Sequence, residues 1–387
     1  MGPCPLRPSI LFLLALLWVG ALAAAGGAEE AEALDLDDLK AFAEAWARIK
    51  SSYVEPIDDR VLLEAAIRGM VSELDRHSAW LDEARFKRLE DDALGRYGGL
   101  GLRIAIQSDH LQIVDARPGM PAALAGLVPG DRIVEVNRTP LDEGNAEEMA
   151  LALRGPAGSQ VELAVIRGRA DRPERIALTR EVIRQASVQW EALDEDIGLI
   201  VIQSFQQTTP TELDRAVEAL LDSSRLQGLI IDLRGNPGGM VQSAVAVADR
   251  FLDEGLILSS EGRHEGAVQS SLAVPGDLLE QRPIAILIDN QTASAAEILA
   301  AALRDQERAT IFGERSYGKG SVQSIWPLSN GSALRLTTAR YRTPAGRDLE
   351  DAGVIPDIEV PYAASDADRG VDAVLDKART WMEKEIE

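Results

Sequence analysis

The sequence predicts an α/β multidomain chain, and three observations carry that expectation. Apolar residues recur at helical spacing before residue 95, short strands with glycine turns fill residues 96–182, and continuous apolar strands alternate with helices over 183–362. The 387 residues suffice for two or three domains.

Residues 1–25 read as a secretory signal. Arg7 is the only charge before Glu29, Ile10 to Leu22 are mostly apolar, and Ala23-Ala-Ala25 offers a small-residue cleavage site. The apolar run falls short of the roughly 20 residues of a membrane span; an uncleaved anchor is the alternative. The expected location is the periplasm or cell envelope. Cys4 is the single cysteine, so removal of the signal leaves no disulfide, thiol nucleophile or thiolate metal site. A net charge of −23 argues against nucleic acid or an anionic membrane as partner. His77, His110 and His264 lack metal-ligand spacing, and no metal or other cofactor is expected.

Residues 26–95 form a helical region. Leu39, Phe42, Ala43, Trp46 and Ile49 share one helical face, and Leu62, Ala66, Met70 and Leu74 another, with a break at Pro56; a third helix is expected over Glu83 to Asp92. Nothing there suggests chemistry, and a docking or dimerisation arm is the reading.

Over 96–182, strands are expected at Gly101–Ile106, His110–Ala116, Asp131–Asn137, Gln160–Arg167 and Arg175–Thr179, with helices at Pro121–Ala125 and Ala146–Leu153. The run Pro118-Gly-Met-Pro-Ala-Ala-Leu-Ala-Gly-Leu-Val-Pro-Gly-Asp-Arg-Ile133, with Asn137 beyond it, resembles a PDZ domain of the bacterial, permuted kind. The resemblance implies that Gly99, Leu100, Gly101 and Leu102 form a loop whose N–H groups converge on a peptide carboxylate while the peptide adds as a strand. A plain glycine turn is the alternative; a dinucleotide fingerprint would need a third glycine and a following helix.

Over 183–362, strands Ile197–Phe205, Leu229–Leu233 and Ile284–Ile288 alternate with helices beginning at Thr209, Val241 and Ala295. Thr209-Pro-Thr-Glu212 reads as a capping box. Asn330-Gly331 joins Val322–Trp326 to Ala333–Arg342 as a hairpin. Continuous apolar strands with covering helices indicate a buried sheet. The tail from 363, Asp366 to Glu387 above all, reads as an amphipathic helix that caps the fold or makes a subunit contact.

Chemistry concentrates at Ser294, Lys319 and Gln323. Ser294 lies in Asn290-Gln-Thr-Ala-Ser-Ala-Ala-Glu297, where a strand meets an Ala-rich helix. Ser294 and Glu297 fit a capping box, yet the same position exposes a hydroxyl beside the free N–H groups of a helix N-terminus. Lys319, between two glycines, acts as a base only if burial lowers its pKa. Gln323 can hold its amine. Gly238 or Gly239, in a strand–turn–helix connection, offers an N–H to join that of Ala295 in an oxyanion hole. The near-match of Gly313-Glu-Arg-Ser-Tyr-Gly-Lys-Gly320 to a phosphate loop fails, because Gly320 stands where a Ser or Thr would hold magnesium. No nucleotide is expected.

These motifs resemble those of the C-terminal processing peptidases, or tail-specific proteases. The likeness spans roughly residues 36 to 360. It includes Leu74-Asp-Arg-His-Ser78, Asp232-Leu-Arg-Gly-Asn-Pro-Gly-Gly239, Tyr341-Arg-Thr-Pro-Ala-Gly-Arg347 and Gly353-Val-Ile-Pro-Asp357. It implies an α/β serine peptidase core of the ClpP/crotonase-like kind, with Ser294 as nucleophile, Lys319 as base, Gln323 as its orienter and Glu297 in support. It also implies protein substrates recognised by their C-terminal tails, a possible adaptor protein and a homo-oligomer. Alanines flank Ser294 where many relatives have serines, and Arg76 stands where proline is commoner. The rival readings are a catalytically inactive PDZ scaffold and a crotonase-like acyl-CoA enzyme.

Overall fold

Strands made almost wholly of Ile, Leu and Val must be covered on both faces. Val188–Ala192, Ile197–Ile202, Gly228–Asp232, Ile284–Ile288, Thr310–Gly313 and Ile358–Glu359 pair in that order into a six-stranded sheet. Only the first pair is antiparallel; in the others Leu229 aligns with Ile284 and Leu287 with Phe312. The computed structural model describes residues 35–361 and 372–387 apart from 143, 169, 171 and 224. The expected signal therefore lies outside the described residues.

Helices Thr209–Ser223, Val241–Asp249 and Ala295–Asp305 cover one face, burying Leu213, Val247 and Leu299 with Ile200, Ile231 and Ile286. Ala295 to Leu303 are all buried, as a helix apolar all round must be. Helix Ala373–Glu385 closes the opposite face through Val374, Ala378 and Met382. The tail helix thus caps the sheet. A Cβ on Gly228 would lie 2.3 Å from Met382 Sδ, so a larger residue there would displace the methionine side chain.

A second sheet joins Ala79–Leu81, Ala333–Arg342, Leu256–Gly262 and Gln269–Leu272, with Ser321–Pro327 paired along Ala333–Arg342 as the expected hairpin. Sequence reasoning missed Ala79–Leu81, since three residues carry no periodicity.

In the PDZ-like segment, Leu102–Ile106, Leu111–Ala116, Arg132–Val136, Gln160–Ile166 and Glu174–Thr179 form an antiparallel sheet in that order. It has its own core, including Leu111, Ile113, Ile133, Leu163 and Val165. Leu102–Ile106 stands at its edge. Arg96–Gly99 belongs instead to a separate ladder with Glu181–Arg184, so the chain enters and leaves this segment side by side.

The chain divides after Ala66 into two units. In the first, helix Leu36–Ser52 buries none of its residues and leaves Leu36, Leu39, Phe42 and Ile49 exposed. Among the described residues no helix is long and apolar enough to cross a membrane.

The capping box expected at Thr209 is put to another use. Glu212 accepts from the Ser187 N–H (2.7 Å), the Ser187 hydroxyl (2.8 Å) and the Val188 N–H (3.2 Å). It thereby ties the helix to the entrance of the core.

Candidate active site

Three neighbouring parallel strands end at the same edge of the core sheet, where open α/β sheets place their ligands. Gly228–Asp232 leads into Gly235 to Gly239, Ile284–Ile288 into Asp289 to Ser294, and Thr310–Gly313 into Glu314 to Gly320. Ala293 N–H donates to Asn236 O (2.9 Å) and Tyr317 N–H to Thr292 O (2.9 Å). The Thr292 hydroxyl donates to Leu233 O (2.9 Å). Three segments distant in sequence are thus laced together.

Ser294 precedes helix Ala295–Asp305 at φ 57° and ψ −116°. A non-glycine residue there stores about 1–3 kcal/mol of strain, held by the buried residues that follow, and such outliers gather at functional sites. Ser294 N–H donates to Glu297 Oε2 (2.7 Å), the reciprocal half of the expected capping box.

Glu297 is fully buried and gathers three more donors. Lys319 N–H donates to the same Oε2 (2.9 Å), while Gly318 N–H (2.7 Å) and the Ser316 hydroxyl donate to Oε1. A carboxylate offers acceptor sites only, which suits four donors. One oxygen atom therefore fixes the Ser294 backbone against the Lys319 backbone.

Lys319 is half-buried. Burial holds its amine below the ordinary lysine range; the positive charge of Arg335 acts in the same direction, against Glu350 and Glu297. Among the described residues no hydrogen bond joins its Nζ to Ser294 Oγ. The segment Glu350 to Val354 clasps the loop from behind. Gly320 N–H donates to Glu350 (2.9 Å), Val354 N–H to Ser316 Oγ (2.6 Å), and Ser316 N–H to Val354 O (3.0 Å).

Gln323 follows a register shift against Ala333–Arg342, where Val322 aligns with Ala339 but Gln323 with Thr337. Such bulges re-aim side chains beside active sites. Its Nε2 donates to Thr337 Oγ1 (2.8 Å), and its buried Oε1 has no partner among the described residues. An orphaned buried acceptor costs about 1–3 kcal/mol; this one is free to receive an amine proton.

Sequence reasoning saw no chemistry near Asp75 and Ser78, yet they support this site. Ser78 Oγ donates to Asp75 Oδ2 (2.8 Å) and accepts from Thr337 N–H (3.1 Å), and Thr337 in turn holds Gln323. Arg335 Nε donates to His77 O (2.9 Å). The signal was a local Asp-x-x-Ser turn whose spare hydroxyl acceptor had no partner nearby in sequence.

Of the three expected oxyanion donors, Gly238 N–H is engaged by Asn236 Oδ1 (2.8 Å). Gly239 and Ala295 N–H groups have no acceptor among the described residues. Gly238 acts by its smallness: at φ 100°, a Cβ there would lie 2.9 Å from Ser294 Cβ and 3.0 Å from Ala295 N.

Gly99, Leu100, Gly101 and Leu102 lie in the PDZ-like part. Leu100 O accepts from Ala122 N–H (3.0 Å) and Gly101 O from Arg117 N–H (2.8 Å). The N–H groups of Leu100 and Gly101 have no acceptor among the described residues, at the start of an edge strand. His110 lies against Asp109 (2.7 Å), and His77 is 3.4 Å from Glu350. No cluster suited to a metal occurs among the described residues.

Comparison with known proteins bears on this arrangement. Peptidase family S41 matches residues 196–360, a PDZ domain residues 112–167, and the N-terminal domain of the activating protease CtpB residues 21–84. The carboxy-terminal-processing protease of Bartonella bacilliformis is 37% identical over 340 residues, covering 87% of this chain and 78% of that one. The carboxy-terminal processing protease CtpA of Bacillus subtilis is 32% identical over 316 residues, covering 81% and 67%. Among solved structures, the photosystem II D1 C-terminal processing protease superposes with a TM-score of 0.51 at 29% identity, covering 83% of this chain and 92% of that one. Since the likeness runs through both the PDZ domain and the edge of the sheet that carries Ser294 and the Lys319 loop, the chain belongs to the carboxy-terminal processing proteases of peptidase family S41.

Proposed function

We propose that this chain is an exported serine endopeptidase that captures protein C-terminal tails on its PDZ domain and cuts them with a Ser294/Lys319 dyad. The observation that carries the reading is the Glu297 oxygen that both the Ser294 and the Lys319 N–H groups share. A depressed lysine whose loop is tied to that of a half-buried serine is the pairing that a hydroxyl nucleophile needs. Ser294 Oγ attacks the peptide carbonyl, and neutral Lys319 takes its proton. Gly239 and Ala295 N–H groups receive the oxyanion. The Lys319 ammonium returns the proton to the leaving amine, and water resolves the acyl-enzyme. Gln323 Oε1 orients the amine throughout. No metal, nucleotide or other cofactor enters.

The edge strand Leu102–Ile106 supports docking of the tail, its carboxylate on the Leu100 and Gly101 N–H groups. Peptide binding then draws Lys319 Nζ onto Ser294 Oγ, a shift between two states of one loop. The unburied apolar face of Leu36–Ser52 supports a homo-oligomer, and delivery by an adaptor is compatible with tail docking. The apolar N-terminus supports export to the periplasm or cell envelope.

The test is cleavage of an unfolded reporter with an apolar C-terminal tail, with Ser294→Ala as the blank. Wild type is expected to cut, the variant to be silent, and amidation of the tail to slow cleavage about tenfold or more. Cleavage by folded Ser294→Ala at the wild-type rate would discard the nucleophile assignment.

The pH dependence has a definite sign. The base works only when neutral, so activity falls as pH drops through the lowered Lys319 pKa. Arg335→Gln removes a positive neighbour, raises that pKa and moves the rising limb of kcat against pH to higher pH. An unmoved limb would mean that another group is titrating.

A further inference from the structure

A cleft of about 640 Å³ opens between the PDZ domain and the peptidase core. Its walls carry Arg96, Arg117, Arg184 and Arg215, in a chain whose net charge is −23. Arg96 is neutralised by Asp91 (2.8 Å). Arg117, Arg184 and Arg215 are exposed and have no carboxylate partner among the described residues; Arg117 Nη1 donates only to Arg184 O (3.4 Å). The one acid on the wall, Glu212, is engaged by the Ser187 N–H and hydroxyl and the Val188 N–H rather than by an arginine. Three guanidinium groups without a carboxylate partner thus line one cleft of a strongly acidic chain.

The position of the cleft is informative. At one end Arg117 adjoins the PDZ loop, its N–H donating to Gly101 O. At the other end Gln207 follows Phe205, whose backbone bridges to Gly239 beside Ser294. The cleft therefore spans from the tail-docking loop to the strand that flanks the oxyanion donors. It is far larger than a single phosphate.

We infer that this cleft binds acidic side chains of the polypeptide substrate, selecting tails preceded by Asp or Glu. Guanidinium groups grip carboxylates bidentately, and charge complementarity of this kind sorts partners more than it adds affinity. The inference rests on the peptidase reading, and its test uses binding alone so that the two can fail separately.

Two fluorescent peptides with the same apolar C-terminal tail are compared by anisotropy on the full Ser294→Ala chain, one acidic upstream and the other with every Asp and Glu replaced by Asn and Gln. The acidic peptide is expected to bind about tenfold more tightly at low salt, an advantage that fades in 0.5 M salt, where the Debye length falls to about 4 Å and exposed pairs are screened. Arg117→Gln/Arg184→Gln/Arg215→Gln in the same chain should bring the affinity ratio close to one, and each single substitution, checked for folding by its melting curve, should lower it in part. Equal binding of the two peptides, or an advantage that survives the triple substitution, overturns the inference. Inorganic phosphate that binds the cleft without any preference between the peptides would make it an ion site and overturn it as well.

Discussion

Lys319→Met is expected to lower kcat on a tail-bearing reporter by about 10³-fold or more, with the fold intact. Methionine fills the half-buried space without the amine, so what is lost is the proton acceptor, a contribution of roughly 10²–10⁴ in most enzymes. The amine is depressed because burial disfavours its charge, so removing it relieves that cost and the melting temperature should hold or rise. A reactive-serine probe should label the variant far more slowly than wild type, because the hydroxyl has lost its base. A folded variant with kcat within tenfold of wild type would remove Lys319 from the mechanism.

Glu297→Gln should combine a loss of stability with a loss of rate. The carboxylate receives four donors in a site closed to water, and an amide turns one of its two acceptor ends into a donor facing them. Each buried donor left unpaired costs about 1–3 kcal/mol, so for the pair on one oxygen calorimetry should record a melting temperature lowered by several degrees. The rate distinguishes positioning from mere stability. If the shared oxygen sets the Ser294 and Lys319 backbones, kcat falls about 100-fold even in fully folded protein, while the affinity for a tail peptide is kept. A variant that melts early but turns over normally below its transition would leave Glu297 a purely structural acid.

How much of this could be read from residue order differed from part to part. The core sheet was legible because its strands are continuous apolar runs, and the helix after Ser294 because it is rich in alanine and leucine. Ser294, Lys319 and Gln323 stood out as types and spacings. The capping reading of Ser294 also had substance, since Glu297 does bond back to its N–H. What could not be read was tertiary. The path from Asp75 through Ser78 and Thr337 to Gln323 crosses more than 200 residues of chain, and neither end shows any sign of the other. Glu212 followed a capping pattern but went to Ser187, because a buried backbone N–H competes for the same carboxylate. Gly238 and Gly239 are equivalent in sequence; only the side chain of Asn236 separates an occupied amide from a free one.

The clasp of Glu350 to Val354 over the Ser316–Gly320 loop has a consequence for biosynthesis. A ribosome releases this chain from its N-terminus, so Ser294 and Lys319 are both made before the segment that holds the lysine loop in place. Until Val354 emerges and bonds to Ser316, the loop lacks its outer support, and the strand Ile358–Glu359 that closes the sheet beside Thr310–Gly313 has yet to be translated. The lysine loop therefore takes its final support only when the last thirty or so residues are being added.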